Sequence, residues 1–290
     1  MTTCDRVREI VGAALPDQRV SSVVKLGAGL DHSAYEVDGE LIVRFEKPSD
    51  DASRAALVMR EARLLAAVAD VSPVPVPEPL FVLAEEGCLA YRKLPGRPLI
   101  DVPEPRRSAR VGSVARTLGE LLTALHAARV ELVDVEDVPL EEWLREAAET
   151  YRSVAAEVPV NRRAAVDAFL RSPPPDGRWT PVFSHNDLGI EHVLVDPPTG
   201  RVTGVIDWSD AAIVDPAYDF GLLHRDLGPA ALDAALRSYR TELGHVASVR
   251  DRAVFYARCT VFGDLAYGLE AGNAAYADKS VAALDWLFAS

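Results

Sequence analysis

Two acids and a histidine lie within one short stretch, Ser184-His-Asn-Asp-Leu-Gly-Ile-Glu-His-Val-Leu-Val-Asp196, continued by Thr203-Gly-Val-Ile-Asp-Trp-Ser-Asp210. Asp187 falls in a turn between two apolar runs, Pro181-Val-Phe and Val193-Leu-Val. His192 follows five residues later, and Asp207 ends a third run, Gly204-Val-Ile. Two short strands joined by such a turn can bring the three side chains together at one end of a small sheet. That set suits phosphoryl transfer: one carboxylate orients an attacking hydroxyl, while a ligand side chain and a second acid hold Mg²⁺ against nucleotide phosphates.

His185-Asn-Asp-Leu with His192, then Ile206-Asp-Trp-Ser-Asp-Ala-Ala and Asp215-Pro-(two residues)-Asp-Phe220, resembles the aminoglycoside phosphotransferases. It is most similar to the 2″-phosphotransferase branch, with the macrolide 2′-phosphotransferases next. The wider kinase pattern has Asn where this chain has His192, and both branches carry His there. The resemblance implies an α+β, two-lobed, protein-kinase-like fold. It also implies Asp187 as the catalytic base, His192 and Asp207 as the metal ligands, and ATP or GTP as donor. Asp219 would be a buried acid that orients the catalytic loop.

Stepping towards the N-terminus, Val20-Ser-Ser-Val-Val-Lys-Leu reads as a strand leading into Gly27-Ala-Gly-Leu-Asp-His-Ser-Ala. Glycines in such a turn let backbone amides approach phosphates closely. Beside the resemblance, Gly27, Gly29 and Ser33 become a phosphate-covering loop. Asp38-Gly39 is a hairpin turn before the strand Leu41-Ile-Val-Arg-Phe-Glu. Arg44 stands where the kinase pattern expects Lys, and Glu61 matches the helix glutamate that pairs with it. Arg can still meet phosphate or carboxylate bidentately. Ala90 and Arg92, in Ala90-Tyr-Arg-Lys-Leu-Pro-Gly-Arg-Pro-Leu99, match the family's hinge beside the purine.

A helix is predicted over 53–70, and strands over 80–84 and 88–94. The region after Pro95 is mostly helical, with helices about 106–129, 139–157, 161–171, 230–244, 249–272 and 274–289. Strands first and helices second give a domain boundary near residue 95, with an N-terminal nucleotide-binding part over 1–94 and a helical catalytic and acceptor part over 95–290. His126, near the end of its helix, is expected to serve the last carbonyls and not the chemistry.

The 290 residues carry a net charge of −13. Residues 1–95 hold 11 basic and 15 acidic side chains, so most of the excess acid lies beyond them. Such a field disfavours nucleic acid and favours cationic partners, although acidity also serves solubility. No apolar run approaches membrane-spanning length. Three scattered cysteines and an N-terminus without a basic-then-apolar segment lead to the expectation of a reduced, cytoplasmic protein. The acceptor is therefore expected to be a small, hydroxylated, cationic molecule. An aminoglycoside comes first, which would make the chain an antibiotic-resistance enzyme. A macrolide, another metabolite, or a nucleotide-binding pseudoenzyme are the alternatives. Asp226 and Glu270 are candidate contacts for ammonium groups, which requires Arg225 to point away.

Overall fold

Val7, Ile10 and Val11 recur at helical spacing in the first helix, α1 (Thr3–Ala14), and all three are buried. A five-stranded antiparallel sheet follows, in the order β1 (Val23–Ala28), β2 (His32–Val37), β3 (Leu41–Glu46), β5 (Cys88–Arg92), β4 (Pro79–Leu83). Alternation assigns its two faces. Tyr35, Val37, Leu41, Val43, Cys88 and Ala90 join α1 in one core cluster. Ile42, Arg44 and Leu89 point the other way, towards α2 (Asp51–Val71), which buries Val58, Ala62, Leu65 and Val68. The β2–β3 turn places Asp38 and Gly39 at φ +53° and +74°, and Glu40 N–H closes it onto Val37 O (3.0 Å). This is the hairpin turn the Asp-Gly pair predicts.

The remainder is mainly helical. After β6 (Arg97–Pro98) come α3 (Glu104–Ser108), α4 (Val111–Ala127), α5 (Leu140–Val154) and α6 (Val160–Leu170). Four short strands, β7 (Val182–Ser184), β8 (Val193–Val195), β9 (Val202–Val205) and β10 (Ala212–Val214), precede α7 (Ala217–Leu227), α8 (Pro229–Ser238), α9 (Val246–Glu270) and α10 (Ala274–Leu287). Gly119 of α4 lies so near α8 that an added Cβ would sit 2.3 Å from Ala235 O. Gly221 gives α7 the same closeness to α9. The helix expected over 106–129 is two helices, because Arg110 leaves helical geometry at φ −119°, ψ 0°. The helix expected over 230–244 ends at Ser238, since Tyr239 turns extended.

The computed structural model describes residues 3–28, 32–47, 51–130, 132–136, 138–176, 178–240 and 246–289. They form two compact units, Met1–Pro95 and Gly96–Ser290. No helix among the described residues is long and apolar enough to cross a membrane.

Candidate active site

The loop 185–192 does not cap a single small sheet. It leaves β7, paired with β10, and enters β8, which lies between β6 and β9 in a second sheet. Side chains hold the join. His185 donates from Nε2 to Ile206 O (3.0 Å) and accepts Asp187 N–H at Nδ1 (3.3 Å). Both ring nitrogens are thus used by the neutral form. Burial, reinforced by the charge on His192, pushes the His185 pKa down to about 3. Asn186 takes φ +64°, a left-handed turn that a short polar side chain tolerates. Asp219 of α7, fully buried, accepts the N–H groups of His185 (3.0 Å), Asn186 (3.3 Å) and Leu188 (3.3 Å). Burial raises its carboxyl to about 6 against the pull of those donors.

Asp187 and His192 then meet. His192 Nδ1 donates to Asp187 O (2.8 Å) and lies 3.3 Å from Asp187 Oδ2. Its Nε2 faces Asp207 Oδ2 at 3.7 Å. Asp207 sits at φ +62°, the same left-handed region, which Asp tolerates as Asn does. The Asp187 side chain is 39% exposed, Asp207 35% and His192 16%. Burial raises the Asp187 carboxyl to about 7, with Glu191 and Asp210 adding to the rise and His192 opposing it. Burial disfavours the His192 imidazolium, yet Asp187, Glu191 and Asp207 together outweigh it and lift the pKa above its ordinary value.

The donor set fits a divalent cation. With Nδ1 committed to a carbonyl, the Nε2 lone pair is left facing a carboxylate oxygen. Ligand atoms of Asp187, Glu191 and His192 also lie within 4.8 Å of one another. Glu191 is thus a third acid at the site that sequence reasoning passed over. Its signal was its place next to His192, within the same short turn.

Asp226 does not stand where it was expected. Arg225 does not point away from it but grips it in a fork, Nε to Oδ1 at 2.7 Å and Nη2 to Oδ2 at 3.1 Å. Lys279 of α10 adds a contact to Asp226 Oδ1 (3.1 Å) and reaches Asp264 (3.0 Å) and Glu191 (3.3 Å). Ile190 N–H donates to Asp226 Oδ2 (3.2 Å). The Asp226 side chain is 1% exposed and that of Lys279 is 3%. Two cations and a main-chain donor saturate this carboxylate, so it has nothing left for an acceptor amine. What the cluster does is tie the 185–192 loop to α7, α9 and α10. Glu270 is exposed at the end of α9.

His126 is also placed differently from expectation. Its Nδ1 pairs with Tyr239 OH (2.7 Å) and its Nε2 with Ser184 Oγ (3.2 Å), instead of with the carbonyls of its own helix. Burial lowers its pKa to about 3.

In the N-terminal unit, Arg44 Nη1 lies 2.7 Å from Glu61 Oε1, and Nη2 contacts His32 Nδ1 at 2.8 Å. Ser33 is half-buried in β2, opposite Phe45, and Gly27 follows an irregularity in the β1 register. Gly29 lies outside the described residues. Ala90 is fully buried and paired with both Val43 and Phe81, so it has no main-chain edge to offer a purine. Arg92 is exposed at the end of β5.

Comparison with known proteins is consistent with this geometry. The profile of a family described as "Phosphotransferase enzyme family" matches residues 22–255. Viomycin phosphotransferase of Streptomyces vinaceus is 29% identical over 171 residues, which is 55% of this chain and 59% of that protein. The chain spans 44–59% of the length of the curated relatives it matches. The GDP complex of an aminoglycoside 2′-phosphotransferase superposes with a TM-score of 0.70 over 99% of both chains, at 23% identity, a likeness of fold. A macrolide 2′-phosphotransferase from Brachybacterium faecium gives 0.58 over 97% of this chain and 98% of its own, at 26% identity.

Proposed function

Because the chain belongs to the phosphotransferase enzyme family, we propose that it transfers the γ-phosphoryl group of GTP or ATP to a hydroxyl of a small molecule. The meeting of Asp187, His192 and Asp207 at the junction of two small sheets carries this reading. Asp187 accepts the proton of the attacking hydroxyl. A carboxyl whose pKa lies near neutrality is well matched to that task. His185 and Asp219 hold its loop through main-chain N–H groups, so the base has little room to wander. His192 and Asp207 are the residues that would hold Mg²⁺, which when bound neutralises phosphate charge. In the N-terminal unit, Arg44, fixed by Glu61, and the Gly27–Ser33 segment bind phosphate oxygens.

The first acceptor to test is an aminoglycoside. A −13 chain suits polyamines, and viomycin and aminoglycoside phosphotransferases are among its relatives. The likeness to a macrolide enzyme makes macrolides the second class. Coupled measurement of nucleoside diphosphate release, with ATP and GTP against aminoglycosides, macrolides and common hydroxylated metabolites, tests the assignment. Release stimulated by an aminoglycoside supports it. Stimulation by a neutral metabolite alone moves the chain to another acceptor, and no stimulation by any hydroxylated compound contradicts transfer.

A further inference from the structure

With Asp226 consumed by its own chain, a cationic acceptor needs another carboxylate near Asp187. One lies on the other side of the loop. Residues 134–136 run beside β10, with Ile213 N–H donating to Asp134 O (2.9 Å) and Glu136 N–H to Ile213 O (3.0 Å). This fixes the backbone of Glu136, whose Oε2 accepts Asn186 Nδ2 at 3.2 Å. Asn186 is the chain neighbour of Asp187.

Glu136 and Asn186 line a narrow cleft together with Trp143, Trp179, Tyr218 and Tyr256. Trp143 lies 5.1 Å from Tyr218 and 5.6 Å from Tyr256, centroid to centroid, and the two tyrosines are 5.3 Å apart. The fourth wall already accepts a cation: the Arg252 guanidinium stands over Trp179 at 5.1 Å. Asp215 neutralises that guanidinium in a fork of 2.6 and 2.9 Å, so Glu136 leaves the cleft lining negative. The Tyr218 phenol links cleft and loop. Burial is the main cause that keeps it from ionising, and the charges of both Asp187 and Glu136 bear on it.

Aromatic faces attract ammonium groups. The space, about 20 Å³ for water-sized groups, admits a single small polar group such as an ammonium and not a whole ring. We propose that this cleft receives one ammonium group of the acceptor, held by Glu136 against the faces of Trp143 and Tyr218, with the sugar that bears it left outside. The assignment rests on the cationic-acceptor reading above and names the residues that would enforce it.

Kanamycin, with trehalose as the neutral control, is the probe. Trp143 and Trp179 give the cleft its own fluorescence reporters. Saturable quenching by kanamycin and none by trehalose is expected. Glu136→Gln, which keeps the shape and the Asn186 contact, should weaken kanamycin binding about tenfold. Trp143→Phe should remove most of the signal. In the transfer assay Glu136→Gln should raise the kanamycin KM about tenfold with kcat within about threefold, the pattern of lost uniform binding. Thermal unfolding at the wild-type temperature confirms that the variant is folded. Kanamycin turnover with Kd and KM unchanged in Glu136→Gln overturns the cleft and leaves the acceptor reading standing. Saturable, Glu136-dependent binding without turnover supports the cleft and removes kanamycin as acceptor. No saturable binding overturns the proposal.

Discussion

At the scale of single residues, the account assigns one proton acceptor and two metal ligands, and each assignment has a distinct kinetic signature. Asp187→Asn should lower kcat by on the order of 10²-fold or more while nucleotide affinity stays within a few-fold. Steady-state kinetics beside nucleotide titration check it, and near-normal turnover in the folded variant removes Asp187 from the mechanism. His192→Asn should keep partial activity, since an amide oxygen can replace imidazole as a neutral ligand. Asp207→Ala should abolish Mg²⁺-dependent nucleotide binding, because it deletes the anionic oxygen ligand. Equal losses in both variants would mean that the imidazole does something besides ligation. These residues were legible in the sequence because their roles are local. His185, Asp187 and His192 share one eight-residue turn, and Asp207 follows the next strand but one. Glu136, Lys279 and Asp264 were not legible, because their partners lie far along the chain: 50 residues separate Glu136 from Asn186, and 53 separate Asp226 from Lys279.

At the scale of elements, the ion cluster on α7, α9 and α10 changes what mutation of Asp226 should do. Removing that carboxylate takes the forked partner from buried Arg225, while Lys279 keeps Asp264 and Glu191, a loss of roughly 3 kcal/mol. Asp226→Ala should therefore unfold at a clearly lower temperature, and activity should fall with the folded fraction. Wild-type stability with a raised acceptor KM would return Asp226 to the acceptor site. The join between α4, α8 and β7 makes a second claim. His126 is buried and neutral, with its pKa pushed down to about 3 from an ordinary value of 6.5. Between those values the unfolded chain binds the extra proton and the folded chain does not. Stability is therefore fully present above pH 6.5 and is lost as pH falls, by roughly 2 kcal/mol on reaching pH 5. Thermal unfolding across pH 5–7.5 reads this, and the slope should be shallower in His126→Asn. An unchanged slope assigns the acid sensitivity to other groups. The helix over 106–129 was read as continuous because nothing in Arg106-Arg-Ser-Ala-Arg110 breaks a helix, and only backbone geometry shows the break. The strands of the first sheet were legible but their order was not, because alternation fixes faces and not neighbours; folding turns the Arg44 face of β3 towards α2 and Glu61.

At the scale of the whole molecule, the charge balance becomes a testable property. An acidic chain that recruits a polycationic acceptor should lose that attraction as salt screens it. The acceptor KM should rise several-fold between about 0.05 and 0.5 M KCl, a range over which the Debye length falls from roughly 14 to 4 Å. A flat KM would mark a neutral acceptor. The order of strands first and helices second gave the architecture, and the division after Pro95 follows from where the two sets of elements find their packing partners. The proposed acceptor cleft was not legible, because its side chains converge from α5, α7, α9 and the segment before β7. Only folding brings these together. The central claim is that Asp187 drives transfer to an acceptor hydroxyl and not to water. Phosphorus NMR of a reaction containing GTP or ATP, Mg²⁺ and kanamycin tests it most directly. The account predicts a new phosphate monoester resonance that accumulates in step with nucleoside diphosphate and is absent with Asp187→Asn. Accumulation of inorganic phosphate alone, or a monoester formed equally by Asp187→Asn, would contradict it.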